Sequence, residues 1–242
     1  MRLAVISDIH ANLEALEAVL RDCETHKVDT IYCLGDVVGY GGDPSPCLKL
    51  VDQHCPVKLM GNHEYAALGL LSGQIMNSVA KESMDWTQSQ LTDHDFSILA
   101  DLEMDARYEN LYFVHASPHE PDKWHYVLTG IEADTAFRSF DDQICFIGHS
   151  HLPMIFAKAP DGSSRQQTGH DFAPDDENRY IVNVGSVGQP RDNDPRGCYV
   201  TYDSVEREIE YHRVSYDIDL TQRKMARARL PQLLIDRLLV GR

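Results

Sequence analysis

The first sixty residues alternate between short apolar runs and longer amphipathic segments. Three runs are rich in branched apolar residues, at positions 3–7, 30–34 and 57–60. Such runs are typical of buried strands. Asn12 is a candidate N-cap for a helix that follows it, and residues 44–54 form a second helical pattern. The order β-α-β-α-β predicts a parallel sheet covered by helices.

Residues 65–102 are predicted to be a mainly helical insertion. Within it, Thr92 and Asp95 have the spacing of a capping box, with Asp in place of the usual Glu or Gln. The pattern then predicts two short apolar strands, at 111–115 and 144–148, with a helix between them at 131–140.

The second half of the chain has the pattern of an antiparallel sheet. Four strand patterns are joined by turns, at 153–159, 180–184, 197–202 and 208–214. The polar stretch 160–178 is predicted to be an exposed loop or hairpin tip. Leucines at amphipathic spacing predict a C-terminal helix at 217–240, in which Pro231 suits a first-turn position. We expect a single domain over residues 1–242.

The chain is acidic, with 38 Asp and Glu against 22 Lys and Arg and a formal net charge of −16. Its 43% apolar content excludes a disordered chain. The acidity disfavours long nucleic acids as partners, because proteins that bind them present basic surfaces.

The basic C-terminal residues 221–242 are an exception, with six basic side chains against one acidic. We interpret them as a solvated helix face whose leucines pack on the body or on a second subunit, which leaves a homodimer open. An anion-binding role is the alternative.

Six cysteines are scattered without C-x-x-C spacing, which is typical of reduced thiols in a cytoplasmic protein. The first apolar run is too short for a signal peptide. No run approaches the roughly 18 apolar residues of a membrane span, so we expect no membrane association.

Side chains that bind metals follow directly on five of the predicted strands. They are Asp8, His10, Asp36, Asn62, His115, His149 and His151. In open α/β sheets, ligands bind outside the carboxyl ends of the strands, so these residues are expected to converge. Gly35, Gly61 and Gly148 precede them and permit tight turns.

These seven side chains offer carboxylate, amide and imidazole donors and no thiolate. That mixture suits Mn²⁺, Fe, Co²⁺, Ni²⁺ or Zn²⁺ rather than Ca²⁺ or an iron–sulfur cluster. Seven donors exceed the needs of one tetrahedral ion and fit two ions bridged by a carboxylate. A single strand-end His is more often structural, and the Gly-rich stretch 35–42 lacks the order of a P-loop. The prediction therefore depends on the conjunction of five fragments.

The fragments D-I-H, G-D-V-V, G-N-H-E, V-H-A-S and G-H-S-H closely resemble the five blocks of the calcineurin-like metallophosphoesterase superfamily. The resemblance spans residues 1 to about 200. Within it, N-V-G-S-V-G-Q-P-R at 183–191 is similar to the small prokaryotic phosphodiesterase-like branch. The resemblance implies an α/β fold, a two-sheet β-sandwich flanked by helices in a four-layer α/β/β/α order.

The resemblance also implies two divalent metal ions, with Mn²⁺ favoured. One ion would be held by Asp8, His10, Asp36 and His151. The other would be held by Asp36, Asn62, His115 and His149, so that Asp36 would bridge the two.

The implied activity is hydrolysis of phosphoesters, as a phosphodiesterase or phosphatase, by a hydroxide that bridges the two metals. His63 would act as general acid, and Asn62 and Arg191 would hold the charge that develops on the phosphoryl oxygens. A surface position is the alternative for Arg191. The substrate would be a small phosphoester, a nucleotide or a phosphoprotein. A non-catalytic metal-binding scaffold or regulatory protein of the same fold is the alternative function.

Several further residues have two interpretations each. Asn12 is an N-cap or a partner of the metal site, and Glu64 is a helix-start acid or such a partner. Candidates for an aromatic pocket around the leaving group, each with packing as the alternative, are Tyr40, Tyr65, His119, Trp124, His125 and Tyr126.

Overall fold

The strands of the computed structural model, which describes residues 1–71 and 77–242, form two mixed sheets. In chain order the strands are Arg2–Ile6 (β1), Thr30–Cys33 (β2), Val57–Lys58 (β3), Asp105–Tyr108 (β4), Leu111–Val114 (β5), Ile144–Ile147 (β6), Met154–Lys158 (β7), Ser164–Thr168 (β8), Arg179–Asn183 (β9), Gly197–Asp203 (β10) and Glu208–Val214 (β11). The helices are Leu13–Thr25 (α1), Pro44–His54 (α2), Asn62–Ala67 (α3), Ser78–Gln90 (α4), Asp93–Ala100 (α5), Gly130–Ala136 (α6), Ile218–Arg227 (α7) and Gln232–Val240 (α8), with a 3-10 helix at Pro121–Lys123.

The first sheet has the order β11-β10-β1-β2-β3. Strands β1, β2 and β3 run parallel, as the β-α-β-α-β pattern predicts. The second sheet has the order β4-β5-β6-β9-β7-β8, and its central strands β5, β6 and β9 are also parallel. In each sheet, the carboxyl ends of the parallel strands therefore lie at the same edge.

The predicted antiparallel second half is divided between the two sheets. Strand β7 pairs antiparallel with β9 in the second sheet, whereas β10 pairs antiparallel with β1 and β11 in the first. Strand β9 also lies parallel to β6. The prediction of one antiparallel sheet is wrong. An apolar run indicates that a strand is buried, but the strand with which it pairs depends on the tertiary fold.

The residues of β1 show how the layers are held together. Leu3 and Val5 face the second sheet, in a core that includes Phe113 and Phe146. The alternate residues Ala4 and Ile6 face helices α1 and α2 on the other side. Both faces of the strand are buried because side chains alternate along it, which explains its continuous apolar sequence.

Helix α6 covers the outer face of the second sheet through Ala133, Ala136 and the adjoining Phe137. With α1 and α2 on the first sheet, the layers follow the order α/β/β/α. The predicted two-sheet sandwich flanked by helices is confirmed.

The insertion at 65–102 is helical where the structure describes it, with α3, α4 and α5. Its residues 72–76 lie outside the described part of the chain. The capping box at the start of α5 is confirmed, because Thr92 Oγ1 accepts from Asp95 N at 3.2 Å and Asp95 Oδ2 accepts from Thr92 N at 2.8 Å.

The C-terminal segment predicted as one helix at 217–240 is two helices, α7 and α8. Arg229 adopts a left-handed backbone, with φ +58°, and Pro231 is the N-cap residue of α8 rather than a first-turn residue. Amphipathic spacing continues across the break because Met225 of α7, Leu230 between the helices, and Leu234 and Leu238 of α8 are buried in one cluster. The expectation of a single domain stays a prediction.

Two edge strands are absent from the predicted pattern. Strand β8 lies within the stretch 160–178 and forms a hairpin with β7, and β4 pairs with β5. Both are largely polar, as suits edge strands, and so lack the apolar pattern that indicates a buried strand. Across the described residues, no helix combines the length and hydropathy needed to span a membrane.

Candidate metal centre

The seven predicted metal ligands converge at the carboxyl ends of five parallel strands, three in one sheet and two in the other. Asp8 and His10 follow β1, and Asp36 follows β2. The other sheet supplies His115 after β5, and His149 and His151 after β6, while Asn62 opens α3 directly beyond β3. All but Asn62 are buried as whole residues. The two sheets therefore meet at one polar edge.

Five of the seven adopt a left-handed backbone that non-glycine residues rarely adopt. The φ angles are +54° at Asp8, +49° at His10, +52° at Asp36, +66° at His149 and +61° at His151. Each such residue costs roughly 1–3 kcal/mol, a strain that clusters at functional sites. These turns aim the side chains across the edge of the sheets.

The first group of donors consists of Asp8, His10 and His151. Asp8 Oδ1 lies 3.3 Å from His151 Nε2 and 3.8 Å from His10 Nε2. The two Nε2 atoms lie 3.1 Å apart. Three donor atoms from two strands of opposite sheets thus surround one point.

The second group consists of Asp36, His115 and His149. Asp36 Oδ2 lies 3.4 Å from His115 Nε2 and 3.7 Å from His10 Nε2 of the first group. A single carboxylate oxygen therefore faces both groups, which is the position that the bridging role of Asp36 requires.

Three imidazole rings are oriented by main-chain carbonyls. The Nδ1 of His10 contacts Val38 O at 3.3 Å, that of His115 contacts Leu34 O at 3.1 Å, and that of His151 contacts Gln189 O at 2.6 Å. A carbonyl oxygen can only accept, so in the neutral form of each ring Nδ1 carries the proton and Nε2 keeps its lone pair. This is the orientation of metal-bound histidines.

Those tautomers make the centre unstable without a cation. The Nε2 lone pairs of His10 and His151 face one another at 3.1 Å. Four more polar atoms of the centre are buried without a hydrogen-bond partner among the described residues: Asp8 Oδ1, Asn62 Oδ1, His115 Nε2 and His149 Nε2. Each costs about 1–3 kcal/mol when unsatisfied. The donor set therefore fits divalent cations, with imidazole nitrogens and hard oxygens in two groups.

The charges of the centre shift its pKa values in opposite directions. Burial lowers the pKa of His149 to about 3, and the charge of His115 adds to this effect. Burial disfavours the charged form of His115 too, but the Asp36 carboxylate overcomes this and raises its pKa to about 9. The pKa of Asp36 lies well below its usual value because neighbouring histidines outweigh the effect of burial.

Glu64 positions the loops rather than facing the donors. Its carboxylate accepts from Asp36 N at 2.7 Å, Gly61 N at 2.9 Å and Val38 N at 3.0 Å. It thereby ties the start of α3 to the loop that carries Asp36. Burial and the Asp36 charge raise the pKa of Glu64 to about 7. Glu64 is thus a helix-start acid in the first turn of α3, and it also binds the main chain of Asp36, one of the predicted ligands.

The glycines before the ligands act in two ways. Gly35 has a left-handed backbone, with φ +112°. Gly61 does not, but an added Cβ would lie 2.2 Å from Asp36 Oδ1. At Gly61 the requirement is therefore close approach to a ligand rather than an unusual turn.

Asn12 and Ser186 are further residues that hold the site loops. Asn12 Oδ1 caps α1, which confirms the N-cap prediction, and its amide donates to Gly188 O at 2.8 Å. The role of Asn12 as a partner of the metal site stays a prediction. Ser186 Oγ donates to Asp8 O at 2.7 Å. Sequence reasoning missed Ser186, although it lies within the quoted motif at 183–191.

His63 lies beside both donor groups. Its Nε2 is 4.0 Å from Asp36 Oδ2, and its main-chain N donates to Asp36 Oδ1 at 2.9 Å. The ring packs edge-on to Tyr40 and His10. Burial lowers the pKa of His63 to about 4 against the opposing charge of Asp36.

Arg191 is half-buried at the rim of the centre rather than free on the surface. Its Nη2 donates to Gln189 Oε1 at 2.9 Å, and its main-chain N donates to His151 O at 3.3 Å. Its charge contributes to the lowered pKa values of His10 and His63. Arg191 therefore acts electrostatically on the centre.

A cavity of about 160 Å³ opens beside the donors. Three of the six aromatic candidates line it, namely Tyr40, Trp124 and Tyr126. Asn62, His63 and His149 line it too. Tyr65 packs on Trp124 behind the wall. His119 and His125 stack on one another beside Glu120 and do not line the cavity.

Residues 1–207 match the family model of the calcineurin-like phosphoesterase superfamily domain. The chain belongs to this superfamily. A metallophosphoesterase from Sphaerobacter thermophilus is 38% identical, and its crystal structure aligns with a TM-score of 0.88 over 100% of this chain and 99% of its own. The superfamily is metal-dependent, and the buried aspartate and histidine groups are consistent with a metal site.

Two further relatives extend the comparison. An uncharacterized protein of Methanocaldococcus jannaschii is 37% identical over 245 residues, which cover 99% of this chain and 98% of the relative. A hypothetical protein from Pyrococcus horikoshii OT3 aligns with a TM-score of 0.80 over 100% of this chain and 98% of its own at 17% identity, which shows a shared fold. The alignments with the Sphaerobacter and Pyrococcus structures cover the whole of this chain, including α7 and α8.

Proposed function

We propose that the protein hydrolyses small phosphoesters with two divalent cations, Mn²⁺ favoured, held by the two donor groups. The supporting observation is the single oxygen, Asp36 Oδ2, that faces both groups at 3.4 and 3.7 Å. Asp8, His10 and His151 would complete one set, and Asn62, His115 and His149 the other. When bound, such cations stabilise charge on phosphoryl oxygens and lower the pKa of bound water.

The residues beside the donors have complementary roles in the proposed reaction. In the proposed reaction a water oxygen would form a bond to phosphorus and lose one proton to solvent, while the bond to the leaving oxygen breaks. The leaving oxygen would take a proton from His63, which solvent then reprotonates. A pKa near 4 leaves His63 neutral in the absence of substrate. A neighbouring anionic phosphoester favours the imidazolium, so substrate binding raises this pKa toward the value that a general acid needs.

Asn62 and Arg191 would hold the phosphoryl group. The buried Asn62 Oδ1 is free to bind a cation, which leaves its amide hydrogens for a phosphoryl oxygen. Arg191 adds a positive charge at the rim of the same cavity. Both would stabilise charge as it develops in the transition state.

The test compares two substitutions in an assay of Mn²⁺-dependent hydrolysis of aryl phosphate mono- and diesters. Asp36→Asn should lose bound metal and nearly all activity, because it removes the shared carboxylate. His63→Ala should keep its metal content and lose turnover by about 10²–10⁴-fold. His94→Ala, an exposed histidine on α5, is the matched control and should behave as the parent protein.

Metal content and hydrolysis together separate the alternatives. Bound metal without hydrolysis of any ester, with several divalent cations tried, would favour the non-catalytic scaffold. Unchanged hydrolysis in both Asp36→Asn and His63→Ala would contradict the proposal.

A further inference from the structure

The C-terminal helices lie beyond residue 207, where the family match ends, and form part of the wall of the metal centre. Met225 of α7 and Leu238 of α8 line a narrow crevice with His10, Tyr40 and Gln189. The ring of Tyr40 lies 4.6 Å from that of His10. Side chains of α8 are therefore close enough to contribute to the site.

Arg237 of α8 reaches the same acceptor as Arg191. Arg191 Nη2 and Arg237 Nη1 donate to Gln189 Oε1 at 2.9 and 3.0 Å. Arg237 Nε also donates to the main-chain oxygen of Arg242. Burial lowers the pKa of Arg237 to about 10, and the charge of Arg191 adds to this effect. Two like charges are thus held together by one neutral side chain.

The nearby carboxylates are engaged elsewhere. Asp192 pairs with Arg213, and Asp194 pairs with Arg196 at 3.0 Å. In the described part of the chain, no Asp or Glu side chain forms an ion pair with Arg191 or Arg237. On a protein of net charge −16, the two guanidinium groups thus share an amide oxygen rather than an Asp or Glu side chain. It offers guanidinium donors of the geometry that binds phosphate.

Arg191 and Arg237 lie at different distances from the metal centre. Arg191 is the inner member, since its main-chain N donates at 3.3 Å to the oxygen of His151, a residue of the first donor group. Its charge also acts on His63 and on the hydroxyl groups of Tyr40 and Tyr126, which line the cavity. Its Nε is buried without a partner among the described residues. Arg237 is the outer member, half-buried on α8.

We propose that Arg191 and Arg237 form a subsite for a second phosphate, adjacent to the phosphoryl group that is hydrolysed. Gln189 sets the spacing of the two guanidinium groups. The inference rests on the proposed function for the position of the first phosphoryl group. It assigns a substrate that carries at least two phosphates, rather than an isolated monoester.

The test measures binding by calorimetry to the Mn²⁺-loaded protein. The probes are methylenediphosphonate, which has two phosphonates and no hydrolysable bond between them, and methylphosphonate, which has one. Arg237→Gln should weaken binding of the first about tenfold and of the second less than twofold, because only the first reaches the outer arginine. Arg227→Gln removes the same charge from an exposed position on α7 and should change neither affinity.

Gln189→Glu is the second variant. It places a carboxylate between the two guanidinium groups. It should therefore weaken methylenediphosphonate binding more than methylphosphonate binding, because the first probe depends on both arginines and the second on Arg191 alone. Equal losses for both probes, or no loss in either variant, would overturn the subsite. Aryl phosphate hydrolysis is measured in parallel to distinguish the two proposals. Hydrolysis without a difference between the two probes would contradict the subsite and leave the proposed function intact. A difference between the probes without hydrolysis would contradict the proposed function and leave the subsite intact.

Discussion

The orientation of His63 depends on a residue without a side chain. Gly39 has a left-handed backbone, with φ +84°, and a Cβ at this position would lie 2.1 Å from His63 Nδ1. Tyr40 packs against the other side of the ring, with centroids 4.4 Å apart. His63 is thus held by packing, because its buried Nδ1 has no hydrogen-bond partner within the described residues.

Gly39→Ala should therefore displace His63 and lower kcat by about 10²-fold, since a shift near 1 Å in a reacting group has that effect. Gly130→Ala is the control, because nothing lies within 4 Å of the added Cβ and no left-handed backbone is involved. Steady-state hydrolysis and metal content are the measurements. A Gly39→Ala protein with the kcat of the parent would contradict this role of Gly39.

At the scale of elements, the capping box of α5 also joins two helices. Asp95 Oδ2 accepts from Thr92 N at 2.8 Å, and Asp95 Oδ1 accepts from Ser45 Oγ of α2 at 3.0 Å. Burial opposes ionisation of Asp95, but the Thr92 hydrogen bonds prevail and lower its pKa below 3.8. The ionised form is thus the one that stabilises the fold.

Asp95→Asn should lower the free energy of unfolding by about 1 kcal/mol near neutral pH. Because the folded pKa is lowered, this contribution is present above the unfolded pKa and is lost as pH falls through the folded one. The difference between parent and variant in urea unfolding should therefore shrink at acid pH. Asp93→Asn removes a charge from the same first turn without a capping bond. A difference that grows toward acid pH would contradict the argument.

The whole molecule is acidic, but two arginines lie together beside the metal centre. The net charge is −16, yet Arg191 and Arg237 have no Asp or Glu partner in the described structure. Two divalent cations would add to this local field. A small anionic substrate can therefore approach the centre although the surface as a whole repels long polyanions.

All six cysteines are free and buried. Burial raises the pKa of Cys23 and Cys198 to about 12 and raises that of the other thiols too. The thiolate is the reactive form, so the native protein should react with a thiol reagent at mildly alkaline pH far more slowly than the unfolded protein. Titration in buffer and in guanidinium chloride checks this. Rapid reaction of several native thiols would be inconsistent with the packing.

The features of this protein that could be predicted from its sequence are those with a local cause. Apolar runs specify buried strands, and the metal-binding residues that follow them specify an edge where parallel strands end. Asp8, Asp36 and His149 could therefore be predicted to converge, and the structure brings them together. Their assignment to particular metal ions stays a prediction.

The partners with which these segments pair could not be predicted from the sequence and are known from the fold. The pairing of β10 with β1, the carbonyl that orients each histidine, and the approach of Arg237 to Arg191 join residues far apart in the chain. Local sequence patterns do not predict such contacts, because a buried strand or a basic helix face can pack against many different segments. The choice among them depends on how the whole core packs.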